Sequence, residues 1–256
     1  MKTSAKENIM SNIDSHPVVS RAQWLAARSR HLANEKALTR QRDQLSAERR
    51  TLPWVKIDTP YTFNGPDGRQ TLGDLFGANS QLIVYHFMFA KDWKEGCKGC
   101  SFLSDHLDGA NLHLAHHDIS LVAVSHAPWE QFQDFKQRMG WHFKWVSSAG
   151  TDFNEDFHVS ASDEEKAAGK MQYNYETMDI AEEEMPGVSV FYKNDAGEIF
   201  HTYSAYARGL DILVGTYNYL DLTPKGRNEE EIMEWVRLHD QYEGAAGSSH
   251  CCAEKA

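Results

Sequence analysis

The chain has 256 residues, a net charge of −11 and 41% apolar side chains. That length fits one elaborated domain or two small ones, with enough apolar content for a core. The acidic balance argues against a nucleic-acid partner, and no apolar run approaches the roughly 20 residues of a membrane helix. The opening MKTSAKENIMSNIDSHP lacks the apolar segment of a secretory signal. The expected setting is therefore cytoplasmic, where paired cysteines are more often catalytic or metal-binding than structural.

Residues 1–17 read as a loose N-terminal tail. Residues 18–50 read as one long helix: Ser20 is a capping residue, and no Gly or Pro follows before Pro53. Leu25, Leu32, Leu38, Leu45 and Leu52 form a narrow apolar stripe along it, with a six-residue step between Leu32 and Leu38 that departs from a coiled-coil heptad. The helix is also basic. Residues 21–50 carry eight Lys/Arg against Glu35, Asp43 and Glu48, a net of +5; residues 1–20 balance to zero, so residues 51–256 carry −16. A basic helix on its own acidic body, or on that of a partner subunit, is the plainer expectation, and a homodimer follows from the second form. A docking arm for another acidic protein is the alternative.

The rest of the chain, residues 51–243, is organised around LIVYHFMFAKDWKEGCKGCSFLSDHL at 82–107. Residues 82–89 are apolar and partly β-branched, the pattern of a buried strand. A charged loop, Cys97-Lys98-Gly99-Cys100 and a helix-compatible run follow. Strand, loop, CxxC and helix in this order make a thioredoxin-like redox site. The unpaired N–H groups of a helix N-terminus favour a thiolate and bring a cysteine pKa from about 8.5 to roughly 3.5–7.5. Cys97 is then the exposed attacker and Cys100 the resolving thiol one turn deeper. Lys98 should favour the thiolate and Glu95 oppose it. The alternative is a zinc or copper site built from Cys97, Cys100 and the tail residues His250, Cys251 and Cys252.

Before that stretch, residues 54–63 read as extended, Asn64-Gly65-Pro66-Asp67-Gly68 as a turn, and residues 71–76 as a short amphipathic segment. After it, His113, His116 and His117 read as a polar helix end rather than a metal site. Residues 119–125 and 141–146 read as strands, and residues 128–139 as a helix whose Trp129, Phe132, Phe135 and Met139 pack inward. Residues 160–186 form a long polar insertion, in which Tyr173 and Tyr175 either line a cleft or pack on the surface. Residues 188–193 and 198–206 are a hairpin turning at Asn194-Asp195-Ala196-Gly197. Pro186, just before it, is a candidate cis proline that would offer substrate-pairing backbone beside the CxxC. Residues 210–222 are mixed but helix-compatible. Residues 229–241 read as a final helix with Ile232, Trp235, Val236 and His239 facing inward, and residues 244–256 as a disordered tail.

An ordered set of segments, among them VVSRAQWLAARSRHLANEKALTRQRDQLSAERRTLPWVKID, QLIVYHFMFAKDWKEGCKGCSFLSDHLDG, FKQRMGWHFKWVSSAGTDFNEDF and HTYSAYARGLDILVGTYNYLDLTPKGR, resembles the bacterial DUF899 family across residues 18–243. The resemblance implies an α/β, thioredoxin-like (peroxiredoxin-like) fold: a central mixed sheet flanked by helices, with the N-terminal helix added. It carries no established substrate. The wider superfamily gives Pro186 its role by position. Typical peroxiredoxins place Thr three and Pro seven residues before the peroxidatic cysteine. Here those positions hold Lys94 and Ala90 for Cys97, and Cys97 and Trp93 for Cys100, which weighs against a peroxidase.

The leading expectation is a thiol–disulfide oxidoreductase needing no cofactor beyond its own redox-active disulfide. It would work on an unknown disulfide substrate with an unknown thiol reductant, with Lys98, Trp93, Pro186 and Arg208 as candidate substrate contacts. A thiol peroxidase using the same dithiol, with Arg208 stabilising thiolate and peroxide, is the second reading. A zinc- or copper-binding protein without enzymatic activity, and an interaction protein on a thioredoxin-like scaffold, are the others.

Overall fold

The computed structural model describes residues 15–243. The first element, α1 (Arg21–Arg49), starts where Ser20 forms a capping box with Gln23. It buries none of its residues. The expectation that this basic helix lies on its own acidic body is therefore corrected.

An eight-stranded mixed sheet forms the body, in the order β1-β10-β9-β4-β5-β6-β2-β3. Its strands are β1 (Val55–Lys56), β2 (Thr62–Gly65), β3 (Gly68–Thr71), β4 (Gln81–His86), β5 (Ile119–Ser125), β6 (Lys144–Ser147), β9 (Gly187–Lys193) and β10 (Ile199–Tyr206). β4 pairs parallel with β5 on one side and antiparallel with β9 on the other. The hairpin partner β10 lies outside β9. With the CxxC helix following β4, this is the thioredoxin arrangement. The short helix α2 (Leu72–Leu75) precedes β4, capped by Thr71.

Alternation along the central strands splits the core in two. Tyr85, Leu121, Ala123 and Val188 face one side, where α3 (Lys98–Ser104), α4 (Leu107–Ala115) and α5 (Trp129–Arg138) contribute Leu103, Leu107, Phe132 and Phe135. Leu82, Val84, Val122, Val124 and Phe191 face the other side, covered by Leu72, Leu75 and Phe76 and by Phe153 and Phe157 at α6 (Phe153–Asp156). The predicted CxxC helix is broken into α3 and α4 at Asp105–His106, where the His106 ring takes up the carbonyl of Phe102 at 2.9 Å.

The loop before α3 depends on Gly96. A Cβ there would stand 2.5 Å from Phe87 and 2.8 Å from Phe135 ring carbons. Both rings are held in the core, so neither yields easily. Gly96→Ala is expected to lower stability by about 1–3 kcal/mol, read as a shift in the urea midpoint at constant slope; an unchanged midpoint would contradict this packing.

The segment 160–186 is partly structured. It holds α7 (Asp163–Ala168) and the hairpin β7 (Lys170–Tyr173) with β8 (Glu176–Asp179). Met171 and Tyr173 pack with Val159, Ala161 and Tyr206 in a small core of their own. After β10 come a 3₁₀ segment (Ala207–Leu213), α8 (Gly215–Leu220) and, from residue 221 on, turns.

The final helix expected over 229–241 does not form. Its place is taken by irregular chain ending in one 3₁₀ turn at His239–Gln241. The Glu229 carboxylate accepts the Met233 N–H at 3.0 Å and the Trp235 indole N–H at 2.9 Å. Such side-chain bonds compete with the helical ladder, and Met233 sits at φ +63°, outside the helical region. Val236 and Leu238 are buried, but Ile232 is exposed, and His239 turns outward to bond Asp105 at 2.7 Å.

Candidate active site

Cys97 is the cap residue of α3, at the mouth of the loop that leaves β4. Its backbone N–H donates to the Met88 carbonyl at 3.2 Å, and its carbonyl receives both the N–H and the hydroxyl of Ser101 at 2.9 Å. The sulfur is therefore fixed at the first turn. Cys97 is half-buried and Cys100 is buried; both are free thiols.

The two sulfurs are electrostatically unequal. The Cys100 thiol hydrogen-bonds the Cys97 sulfur, and the N–H groups of Cys100 and Gly99 point at it; burial and the Glu182 carboxylate oppose them. The donors prevail and bring Cys97 down to about 6. Cys100 is pushed well up, first by burial and then by its neighbour Cys97, against hydrogen bonds from the Tyr85 hydroxyl and the Met88 N–H, the latter at 3.5 Å. Glu95, expected to oppose the thiolate, is instead ion-paired with Arg138. The opposing carboxylate is Glu182.

A recess of about 260 Å³ opens beside the sulfurs. Tyr85, Leu103, Leu210, Val214, Ile232 and Met233 make it apolar, and Pro186 and Arg208 also line it. Met233 roofs it closely, because a Cβ on Gly99 would meet the Met233 sulfur at 2.9 Å. The Tyr173 hydroxyl joins two of its walls, donating to the Pro186 carbonyl at 2.7 Å and accepting the Ala207 N–H at 2.9 Å.

Of the predicted contacts, Pro186 and Arg208 reach this recess. The cis expectation for Pro186 is corrected: its peptide is trans. Its backbone is also already used, since the Met185 N–H binds the Val159 carbonyl and the Pro186 carbonyl holds Tyr173. Arg208 is paired with Asp211 at 3.1 Å, and Asp211 is shared with Arg227. Lys98 is exposed, outside the recess lining. Trp93 packs against the core from the loop, its carbonyl accepting from Gln131, and also lies outside the lining. Tyr175 opens instead onto a different, shallower groove beside β10.

Tyr85, Leu210, Val214 and Met233 were not among the expected site residues, and Tyr173, named with Tyr175 as a cleft residue, braces the recess walls from outside its lining. Only Tyr85 offered a signal in the sequence, as a hydroxyl in the largely apolar run 82–89. Among the described residues no group of three or more His, Cys, Asp or Glu is placed to hold a metal ion. His250, Cys251 and Cys252 lie outside the described residues. Among the described residues no helix is long and apolar enough to cross a membrane.

The molecule is thus a thioredoxin-fold protein with a CxxC pair at the start of the helix after its central strand. The chain belongs to the family described as "Bacterial protein of unknown function (DUF899)", which matches residues 13–242. No curated protein matches it. Among solved structures it is similar to peroxiredoxin Q of Xanthomonas campestris, at 14% identity and a TM-score of 0.40, over 66% of this chain and 97% of the other. It is similar also to the peroxidoxin BcpB of Mycobacterium tuberculosis, at 11% identity and a TM-score of 0.38, over 64% and 94%.

The lowered Cys97 pKa has a direct consequence. The anion gains population as pH rises past its pKa, so alkylation of the reduced protein by iodoacetamide should reach half its plateau rate near pH 6 and be flat above about pH 7.5. A midpoint near the free-thiol value of about 8.5 would remove the argument for activation.

Proposed function

We propose that this protein is a thiol–disulfide oxidoreductase in which Cys97 attacks and Cys100 resolves. The observation that carries the reading is the placement of Cys97 as the cap residue of α3 at the apolar recess, with Cys100 buried one turn further on and both thiols free. The Cys97 thiolate displaces one sulfur of a substrate disulfide, forming a mixed disulfide and releasing the first thiolate. Cys100 then loses its proton and attacks the Cys97 sulfur. That step closes the Cys97–Cys100 disulfide and releases the second substrate thiolate. An external dithiol returns the pair to the reduced state.

The test follows reduction of bis(2-hydroxyethyl) disulfide by dithiothreitol with and without the protein, alongside a redox titration of the pair. Catalysis with a reversible two-electron couple, lost in Cys97→Ser, is expected. Catalysis that persists in Cys97→Ser, or the absence of any couple, would overturn the reading.

A second reading rests on the size and apolar lining of the recess, which suit a small substrate better than a folded one. In it the Cys97 thiolate attacks an organic hydroperoxide, giving the sulfenic acid and an alcohol; Cys100 then displaces water to form the same disulfide. Consumption of one hydroperoxide per dithiol, faster than by a free thiol, would favour this reading over the first.

A further inference from the structure

The longest element, α1, runs free of the body along most of its length. Trp24, Leu25, Leu32, Leu38 and Leu45 are all exposed on it. Its last turn is anchored where the Arg49 guanidinium lies 4.7 Å from the Tyr203 ring centroid. Arg49 also stands at the mouth of an apolar groove of about 400 Å³ across one face of the sheet. Ile83, Leu107, Leu114, Val190, Ile212 and Leu213 line that groove. Ile212 is 62% exposed. The fold thus leaves both an unpartnered helix and an unfilled groove, and the helix ends at the groove's own edge. It cannot fold back into that groove without breaking its ladder.

We propose that two copies of this chain pair through α1, antiparallel about a two-fold axis near Glu35, so that the Trp24–Leu25 turn of each enters the apolar groove of the other. Three observations converge on a second copy. The first is the order of residues along the helix. Leu32 and Leu38 stand three residues either side of Glu35, Arg28 and Arg42 seven, and Leu25 and Leu45 ten. The pattern therefore reads the same from both ends. An antiparallel pair brings Leu25 level with the partner's Leu45, and Leu32 level with the partner's Leu38. The six-residue step that spoils a heptad is the reversal point of that pattern. An isologous interface has this reciprocity: residue i meets j, and j meets i.

The second observation is length. At 1.5 Å per residue, 29 residues span about 43 Å. Paired end to end, the first turn of one helix arrives beside the Arg49 end of the other, where the groove opens. The third is charge. At the axis the two Glu35 carboxylates would be flanked by four guanidiniums, from Arg28 and Arg42 of each copy; Arg28 already holds Glu35 at 2.8 Å.

The test is the mass of the full chain by sedimentation at micromolar concentration, for the wild type and two double variants. Leu25→Asp with Leu32→Asp alters the arm; Ile212→Asp with Leu213→Asp alters the groove. Circular dichroism checks that each remains folded, which the exposure of the arm residues and of Ile212 favours. Twice 29.1 kDa is expected for the wild type, with each variant's dissociation constant raised about 100-fold or more. An equimolar mixture of the two variants should recover a mixed dimer, through the one intact arm in the one intact groove. A monomeric wild type, or a dimer insensitive to both variants, would overturn the proposal. A dimer broken by the arm variant but untouched by the groove variant would overturn the seating in the groove.

Discussion

Tyr85→Phe is expected to slow the resolving step about 10- to 100-fold while leaving the attack of Cys97 on substrate unchanged. Cys100 is held above the ordinary thiol range first by burial and then by Cys97 itself, through its hydrogen bond and its charge. Once Cys97 is consumed in a mixed disulfide, its charge is gone and that second influence disappears. The Tyr85 hydroxyl and the Met88 N–H remain, and both favour the Cys100 anion. The influences on Cys100 thus change during the reaction: burial still opposes its anion, but the opposition from Cys97 is gone. A hydrogen bond to a charged group is worth about 1.5–3 kcal/mol, which sets the size of the expected effect. Tyr85 itself stays protonated, because burial pushes it well above its usual range, so it acts as a donor throughout. Mass spectrometry of quenched reactions separates the two steps. The variant should accumulate the mixed disulfide at Cys97, and Cys100→Ser should accumulate it permanently. Equal resolution rates in Tyr85→Phe and wild type would remove Tyr85 from the mechanism.

The strand–loop–CxxC–helix stretch was legible in the sequence because its signals are local: a β-branched apolar run, a charged loop and cysteines one turn apart. The limits of α1 were legible for the same reason, since Ser20 and Pro53 act on the chain within a few residues. What escaped depends on partners distant in the sequence. Residues 229–241 have helical periodicity, but the core takes Val236 and Leu238, and Glu229 captures the donors of Met233 and Trp235. Periodicity records which positions are apolar, not which of them a distant pocket will accept. The bracing role of Tyr173, named in the sequence only as a cleft residue, was unreadable for a related reason: the β7–β8 hairpin brings it to both Pro186 and Ala207. Pro186 shows the limit of positional analogy. It reaches the recess, yet its carbonyl is already bonded.

Glu184 gives the largest expected effect on stability. It sits in an acidic run, Glu182-Glu183-Glu184, within the polar segment 160–186, but Glu184 itself is only 3% exposed. Its carboxylate accepts the Ser160 hydroxyl at 2.7 Å, the Asn154 amide at 3.0 Å and the His126 ring at 3.1 Å. Removing one partner from a buried charged cluster costs about 3–5 kcal/mol, because the remaining groups lose their bonds without regaining water. Glu184→Ala should lower the urea midpoint accordingly, and Glu184→Gln, which keeps a hydrogen-bonding group of the same shape, should lower it much less. The pH dependence distinguishes this cluster from general packing. His126 is raised above its usual value, chiefly by its hydrogen bond to Glu184. Its contribution is therefore fully present below the unfolded histidine value of about 6.5 and is lost as pH rises through the higher folded value. Wild type should gain stability on acidification through that window, and Glu184→Gln should not. The cluster also bears on the redox site, since Glu184 fixes the strand-entry segment two residues before Pro186, and Glu182 in the same segment opposes the Cys97 thiolate. In Glu184→Ala the Pro186 wall should loosen, and a bulky maleimide should then react with Cys97 faster relative to iodoacetamide than in the wild type. An unchanged ratio alongside a lowered midpoint would confine Glu184 to stability and separate it from the recess.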